Sequence, residues 1–117
     1  MTVYVANSDK KNKHDLTGAM RYGEIRYINH KYIYADEIDD EKIPEAFIRN
    51  MVFCAEQFDP DEDYLLILGD HLQFVTFAAI LATRYSYFRV LRWTGIEKAY
   101  FPVRLELPPV GAELVPT

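Results

Sequence analysis

At 117 residues, half of them hydrophobic and 15% aromatic, the chain fits one globular domain and is too apolar to be disordered. A net charge of −5 argues against general affinity for nucleic acid, whose phosphates need a basic face. The charge is segregated: residues 1–33 carry six Lys/Arg against three Asp/Glu, residues 34–70 two against twelve, and the remainder five against three, so a compact acidic middle band suits a basic partner.

"TVYVA" (2–6) is short, β-branched and aromatic, which predicts a strand closed by the polar run "NSDKKNKHD". The opening "MTVYVANSDKK" lacks the basic start and apolar core of a signal peptide, so a cytoplasmic location is expected, that of a host cell if the chain is phage-encoded. Asp15 can cap a short helix, "LTGAMRY", with Gly23 ending it in a left-handed conformation. "EIRYI" (24–28) predicts a second strand. The following "NH" and "KYIYA" form either a tight hairpin return or an extended lead-out.

The acidic turn "DEIDDEKIPE" leads into a helix, for which Pro44 suits the first turn. Ile43, Phe47, Met51, Cys54, Ala55 and Phe58 recur at helical spacing and define a buried stripe. Cys54 is the sole cysteine, so no intramolecular disulfide can form; among apolar neighbours it reads as a small core residue in a reducing compartment. "DPDED" ends the helix at Pro60.

"YLLIL" (64–68) has no polar alternation, as expected of a parallel strand covered on both faces. Asp70 then caps a second helix, and Gln73 three residues on nearly completes a capping box. This helix, "HLQFVTFAAILATRY", is too short to span a bilayer and apolar almost all round, so it needs cover beyond the sheet; a homodimer partner would supply it. "YFRVLRW", a turn at Thr94-Gly95 and "KAYFPVRLEL" predict a β-hairpin. In its second arm Phe101, Val103, Leu105 and Leu107 face one way and Tyr100, Pro102, Arg104 and Glu106 the other. Pro102 cannot donate to a ladder, which makes this arm an edge strand or one with a bulge. The order predicts an α/β fold: a small three-layer sandwich, mainly parallel sheet with a C-terminal antiparallel hairpin, in a single domain over 1–107 with a tail at 108–117.

In such sheets ligands bind outside the carboxyl ends of the strands. If the first and central strands are neighbours, Asn7, Ser8, Lys10 and His14 converge with Gly69 and His71 on a site for an anionic ligand of nucleotide type. Against this, Asp70 puts a carboxylate where a phosphate would sit, and one glycine does not make a phosphate loop. His14 and His71 could serve as acid and base in a small nucleotide phosphodiesterase. No nucleophile–base set can be assembled, however, and no catalytic residue is assigned; Ser8 and Ser86 lack supporting context. No cofactor and no metal site is expected, because Cys/His pairs at ligand spacing are missing and the acidic run lacks a calcium loop's glycine. "RYSYFRVLRW" interleaves arginines with aromatics as a single-strand binder does, but a strand with one face in the core explains the same letters, so nucleic acid is disfavoured.

"YVANSDKKNKHDLTGAMRYGEI", the "DEDYLLILGD" strand before an apolar helix, and "YFRVLRW" leading to "KAYFPVRLEL" resemble a group of small bacteriophage-encoded α/β proteins. Shared traits are a strand ending in Asn, a His-Asp pair, an aromatic-Gly-Glu strand, an acidic strand with a glycine and a basic terminal hairpin. The lysine-rich insert between Asn7 and His14 departs from that pattern. The resemblance implies a phage setting and raises the expectation of host interference, while supplying no catalytic residues. The favoured reading is a non-catalytic interaction protein that binds a host or phage protein through Asp36, Glu37, Asp39 and Asp40. The anionic-ligand module is the alternative, and no membrane partner is expected.

Overall fold

The computed structural model describes residues 1–8 and 15–108. Lys10 and His14 of the ligand set, and the tail at 109–117, lie outside the described residues. The elements run β1 (Thr2–Asn7), α1 (Thr17–Met20), β2 (Glu24–Asn29), a 3-10 turn (Ala35–Glu37), α2 (Glu45–Gln57), β3 (Tyr64–Leu66), α3 (His71–Arg84), β4 (Tyr87–Thr94) and β5 (Ala99–Glu106). The α/β class, the mainly parallel sheet and the terminal antiparallel pair match the sequence expectation.

The five strands lie in the order β2-β1-β3-β4-β5, parallel except for β5. β3 is therefore interior, and all three of its residues are buried. A parallel crossover keeps one hand, so reversing the direction of travel across the sheet sends the connecting helix to the other face. The chain steps one way from β1 to β2, and the other way from β2 to β3 and β4. Accordingly α2 and α3 share one face, packing Phe47, Met51, Cys54, Phe77 and Leu81 against Tyr4, Leu65, Phe88 and Val90. Ala19 of α1 lies on the opposite face with Val3, Val5, Leu66 and Leu91. That third layer is thin, a single helical turn.

Several local expectations change. The segment after Asn29 is a lead-out, not a hairpin return: no strand follows before the 3-10 turn. The central strand is three residues long rather than five. Ile67 still donates to the Leu91 carbonyl (2.9 Å), and then the chain bends away to reach Gly69. Gly23 does not close α1, whose C-cap is Arg21 in right-handed helical conformation. It is needed because a Cβ there would lie 2.7 Å from the Met1 carbonyl oxygen, where the chain start pairs with β2. On α3 the inner stripe of Gln73, Phe77 and Leu81 is buried, while Leu72 and Val75 face outward, Val75 at 61% exposure.

Pro102 settles as an edge device. The Leu91 carbonyl is engaged by Ile67 of the β3 segment, so the backbone groups of Leu91 point away from β5. Its partner Pro102 is therefore in a non-hydrogen-bonded pair, with its nitrogen on the free edge of β5. A missing donor there discourages pairing with another strand.

Candidate functional site

The carboxyl ends of β1, β2, β3 and β4 gather at one edge of the sheet, and three features sit there. The first is the corner at Gly69. Asn7 and Asn29 end β1 and β2 and are register partners, both buried. The Asn7 Oδ1 accepts from the Asp70 amide (2.7 Å), and a Cβ on Gly69, at φ 94, would sit 2.5 Å from that oxygen. The Asp70 carboxylate accepts from the amides of Leu72 (3.0 Å) and Ile33 (3.1 Å) and from Nε2 of Gln73 (3.0 Å). Gln73, fully buried, also donates to the Lys31 carbonyl (2.9 Å) and accepts from Nδ2 of Asn29 (3.0 Å), whose Oδ1 accepts from Asn50 (2.8 Å).

Asp70 thus caps α3 as expected, but the capping box does not form. Gln73 turns into the protein, and the amide it would have satisfied belongs to Asn7. The network locks β1, β2, α2, α3 and the Lys31–Ile33 segment together, which is a structural task. Of the sequence-predicted ligand set, Asn7 and Gly69 are in contact, Ser8 donates its amide to the Asn29 carbonyl (3.2 Å), and His71 is exposed on the first turn of α3. The Asn7 Nδ2 is buried with no acceptor among the described residues. Asn29, Asn50 and Gln73 were not in the predicted set. The signal available for one of them, Asn29, was that "EIRYIN" ends in asparagine just as "TVYVAN" does.

The second feature is the segment Tyr32–Lys42. Tyr32 and Tyr34 are exposed, at 44% and 54%, with ring centroids 5.4 Å apart. Asp36, Asp39, Asp40 and Glu41 are exposed, while Glu37 is half-buried and pairs with Lys31 (2.9 Å). Asp39 and Lys42 close a tight turn through reciprocal amide–carbonyl bonds, with Asp40 and Glu41 both at positive φ, 52° and 60°. Non-glycine residues rarely adopt that conformation, so the turn holds its carboxylates outward at a local cost. Among the described residues Lys42 lies 3.9 Å from the Asp40 carboxylate.

The acidic band read from sequence is not compact. Because α2 runs the length of the sheet, Asp36–Glu41 and Asp59–Asp63 lie at opposite ends. The latter group is consumed internally: Asp63 accepts from the amides of Thr2 and Asp59 (both 2.8 Å), and Asp61 accepts from the Tyr87 hydroxyl (2.6 Å). Two arginines of the terminal hairpin are likewise engaged within the fold. Arg89 stacks on Tyr64 at 4.0 Å and donates to its hydroxyl and to the Asp61 carbonyl, and Arg104 stacks on Tyr87.

The third feature is a cleft of about 680 Å³ on the α1 face, lined by Asp15, Gly18, Ile67, Leu68, Arg92, Trp93, Lys98 and Tyr100. Only the single turn of α1 covers this face of the sheet, which leaves the space beside β3, β4 and β5 open. Trp93 and Tyr100 are cross-strand partners with ring centroids 5.0 Å apart. Tyr100 is fixed at both ends: its hydroxyl donates to the Asp15 carbonyl and its own carbonyl accepts from the Tyr22 hydroxyl (both 3.3 Å). A Cβ on Gly18 would come within 3.1 Å of the Tyr100 ring. Sequence reading missed this site, although the hairpin register that pairs Trp93 with Tyr100 follows from the turn.

Among the described residues no group of three or more His, Cys, Asp or Glu is placed to hold a metal ion, and no helix is long and apolar enough to cross a membrane. The model of one protein family, described as Phage Pam3 gp32-like protein, matches residues 1–107. No curated protein and no solved structure matches the chain.

Proposed function

The chain belongs to the Phage Pam3 gp32-like protein family, and from that premise we propose that it is a non-catalytic interaction protein whose Tyr32–Lys42 segment docks on a basic surface of a host or phage protein. The observation that carries this is the Asp39–Lys42 turn, where two consecutive non-glycine residues are held at positive φ and present exposed carboxylates whose one ion pair among the described residues is the loose Asp40–Lys42 contact at 3.9 Å. Strained backbone at an exposed site is found where the surrounding structure maintains it for a task. The adjacent tyrosines supply what carboxylates lack, large rigid contact area at low entropic cost. Together they give a surface with an apolar anchor and an acidic rim, the former setting residence time and the latter association rate.

The test is capture of a saturable protein partner from host or infected-cell extract, followed by kinetics of the purified pair. Asp36→Lys and Asp39→Lys reverse two of the charges, and Asp40→Asn neutralises a third. Asparagine is used at 40 because it tolerates the left-handed conformation, and Glu37 is spared because it holds Lys31. The association rate is expected to fall by at least about tenfold, with a weaker salt dependence than the parent, while circular dichroism stays unchanged. Tyr34→Ala should instead speed dissociation. Association rates unaltered by the charge variant refute the assignment.

A further inference from the structure

In an open parallel sheet the usual ligand crevice is the switch point, here between β1 and β3. Asn7, Gly69 and Asp70 fill that point with their own hydrogen bonds. The open space lies one strand further along, in the Trp93 cleft, whose volume is within the range of small-molecule sites. We propose that this cleft binds a mononucleotide, with the base stacked on Trp93, a base N–H group on the Asp15 carboxylate and the phosphate held by Lys98.

Three chemistries converge there. Trp93 is 48% exposed beside a pinned tyrosine, so its indole is a ready stacking surface that needs no ordering on binding. Lys98 brings a cation to a chain of net charge −5 and sits at the hairpin end with φ 51°. Across from them, hydrogen bonds from the hydroxyl and the amide of Thr17 hold the Asp15 carboxyl below the usual carboxylate range, so it is an acceptor at neutral pH. Ile67 and Leu68 give an apolar wall. A flat ring alone would leave the Lys98 cation unused, and inorganic phosphate alone would leave the indole unused. A nucleotide engages both.

Trp93 is the sole tryptophan of the sequence, so its fluorescence reports on this cleft directly. Titration of the full chain with AMP, GMP, CMP and UMP should give saturable quenching by at least one of them. The matching nucleoside should bind more weakly, and inorganic phosphate should not quench. By calorimetry, Trp93→Ala should weaken binding by roughly 5- to 150-fold, the range expected for losing one stacked base. Lys98→Glu should weaken it most at low salt. Gly18→Ala, which crowds Tyr100, should weaken binding with the melting temperature of the unliganded chain near that of the parent. Equal affinity for nucleoside and nucleotide overturns the phosphate assignment, and absence of saturable quenching by all four overturns the site. The test is independent of the acidic turn, since the charge variant of Asp36, Asp39 and Asp40 should bind the nucleotide as the parent does.

Discussion

Asp70→Ala should destabilise the fold severely, and the size of the loss can be built from its partners. The substitution removes the acceptor of the Leu72 amide, an N-cap contribution of about 1 kcal/mol. It also strands the Ile33 amide and Nε2 of Gln73, both buried, although Gln73 keeps its bond to the Lys31 carbonyl. Leaving a buried donor unpaired costs about 1–3 kcal/mol, so the sum is about 3–5 kcal/mol once that remaining bond is counted. Against a total stability on the order of 5–15 kcal/mol this is a large share, and it corresponds to a fall in Tm of roughly 10–25 °C. Urea denaturation of parent and variant measures it, and a double-mutant cycle with Gln73→Met should return a coupling of about 0.5–3 kcal/mol. A loss under about 1 kcal/mol, with no coupling, would show that Asp70 is not the hub that the hydrogen bonds describe. It would also reopen the α3 N-terminus as an anion seat, which the carboxylate now occupies.

Gly69→Ala should cost at least about 2 kcal/mol in the same assay, because φ 94° is strained for alanine and its methyl would meet Asn7 Oδ1; a neutral variant refutes that contact. Burial pushes the Cys54 thiol and the Tyr4 hydroxyl above their ordinary values, Asp63 adding to the rise at Tyr4. The unfolded chain then loses these protons first as pH rises, so Tm should be flat between about pH 6 and pH 8 and decline above about pH 9. The decline should be shallower in Cys54→Ala, and identical slopes would exclude the thiol. The outward stripe of α3, Leu72 and Val75, is expected to pair with a second copy; a monomer mass by light scattering, unchanged by Val75→Glu, refutes it.

What the sequence revealed is what hydrophobic pattern controls. The α2 stripe of Phe47, Met51, Cys54 and Ala55 is buried as its spacing required, and Val103 and Tyr100 fall on opposite faces of β5 as the alternation required. What it concealed depends on partners distant in the chain. Gln73 reads as a surface capping residue until Lys31 and Asn29 are seen to close over it. The length of β3 was overread because "YLLIL" is uniformly apolar, and only the bend toward Gly69 shows where pairing stops. The cleft depends on how little of its face the one-turn α1 covers, which no local pattern records.

Charge separates the two ends of the molecule only when its partners are counted. Asp59–Asp63 and Asp36–Glu41 look alike as sequence, yet Asp63 carries two backbone amides, whereas no hydrogen bond among the described residues employs the Asp36 side chain. The first set should therefore act on stability and the second on binding. Asp63→Ala strands the amides of Thr2 and Asp59, both partly buried, and should cost about 2–4 kcal/mol without changing the association rate of the folded fraction with the partner. Asp36→Lys should do the reverse, leaving the urea midpoint within experimental error while slowing association. The paired measurement discriminates between a solvated acidic face and a presented one. If both variants shift both quantities alike, the carboxylates are one diffuse field, and the acidic turn loses its claim to be an interface.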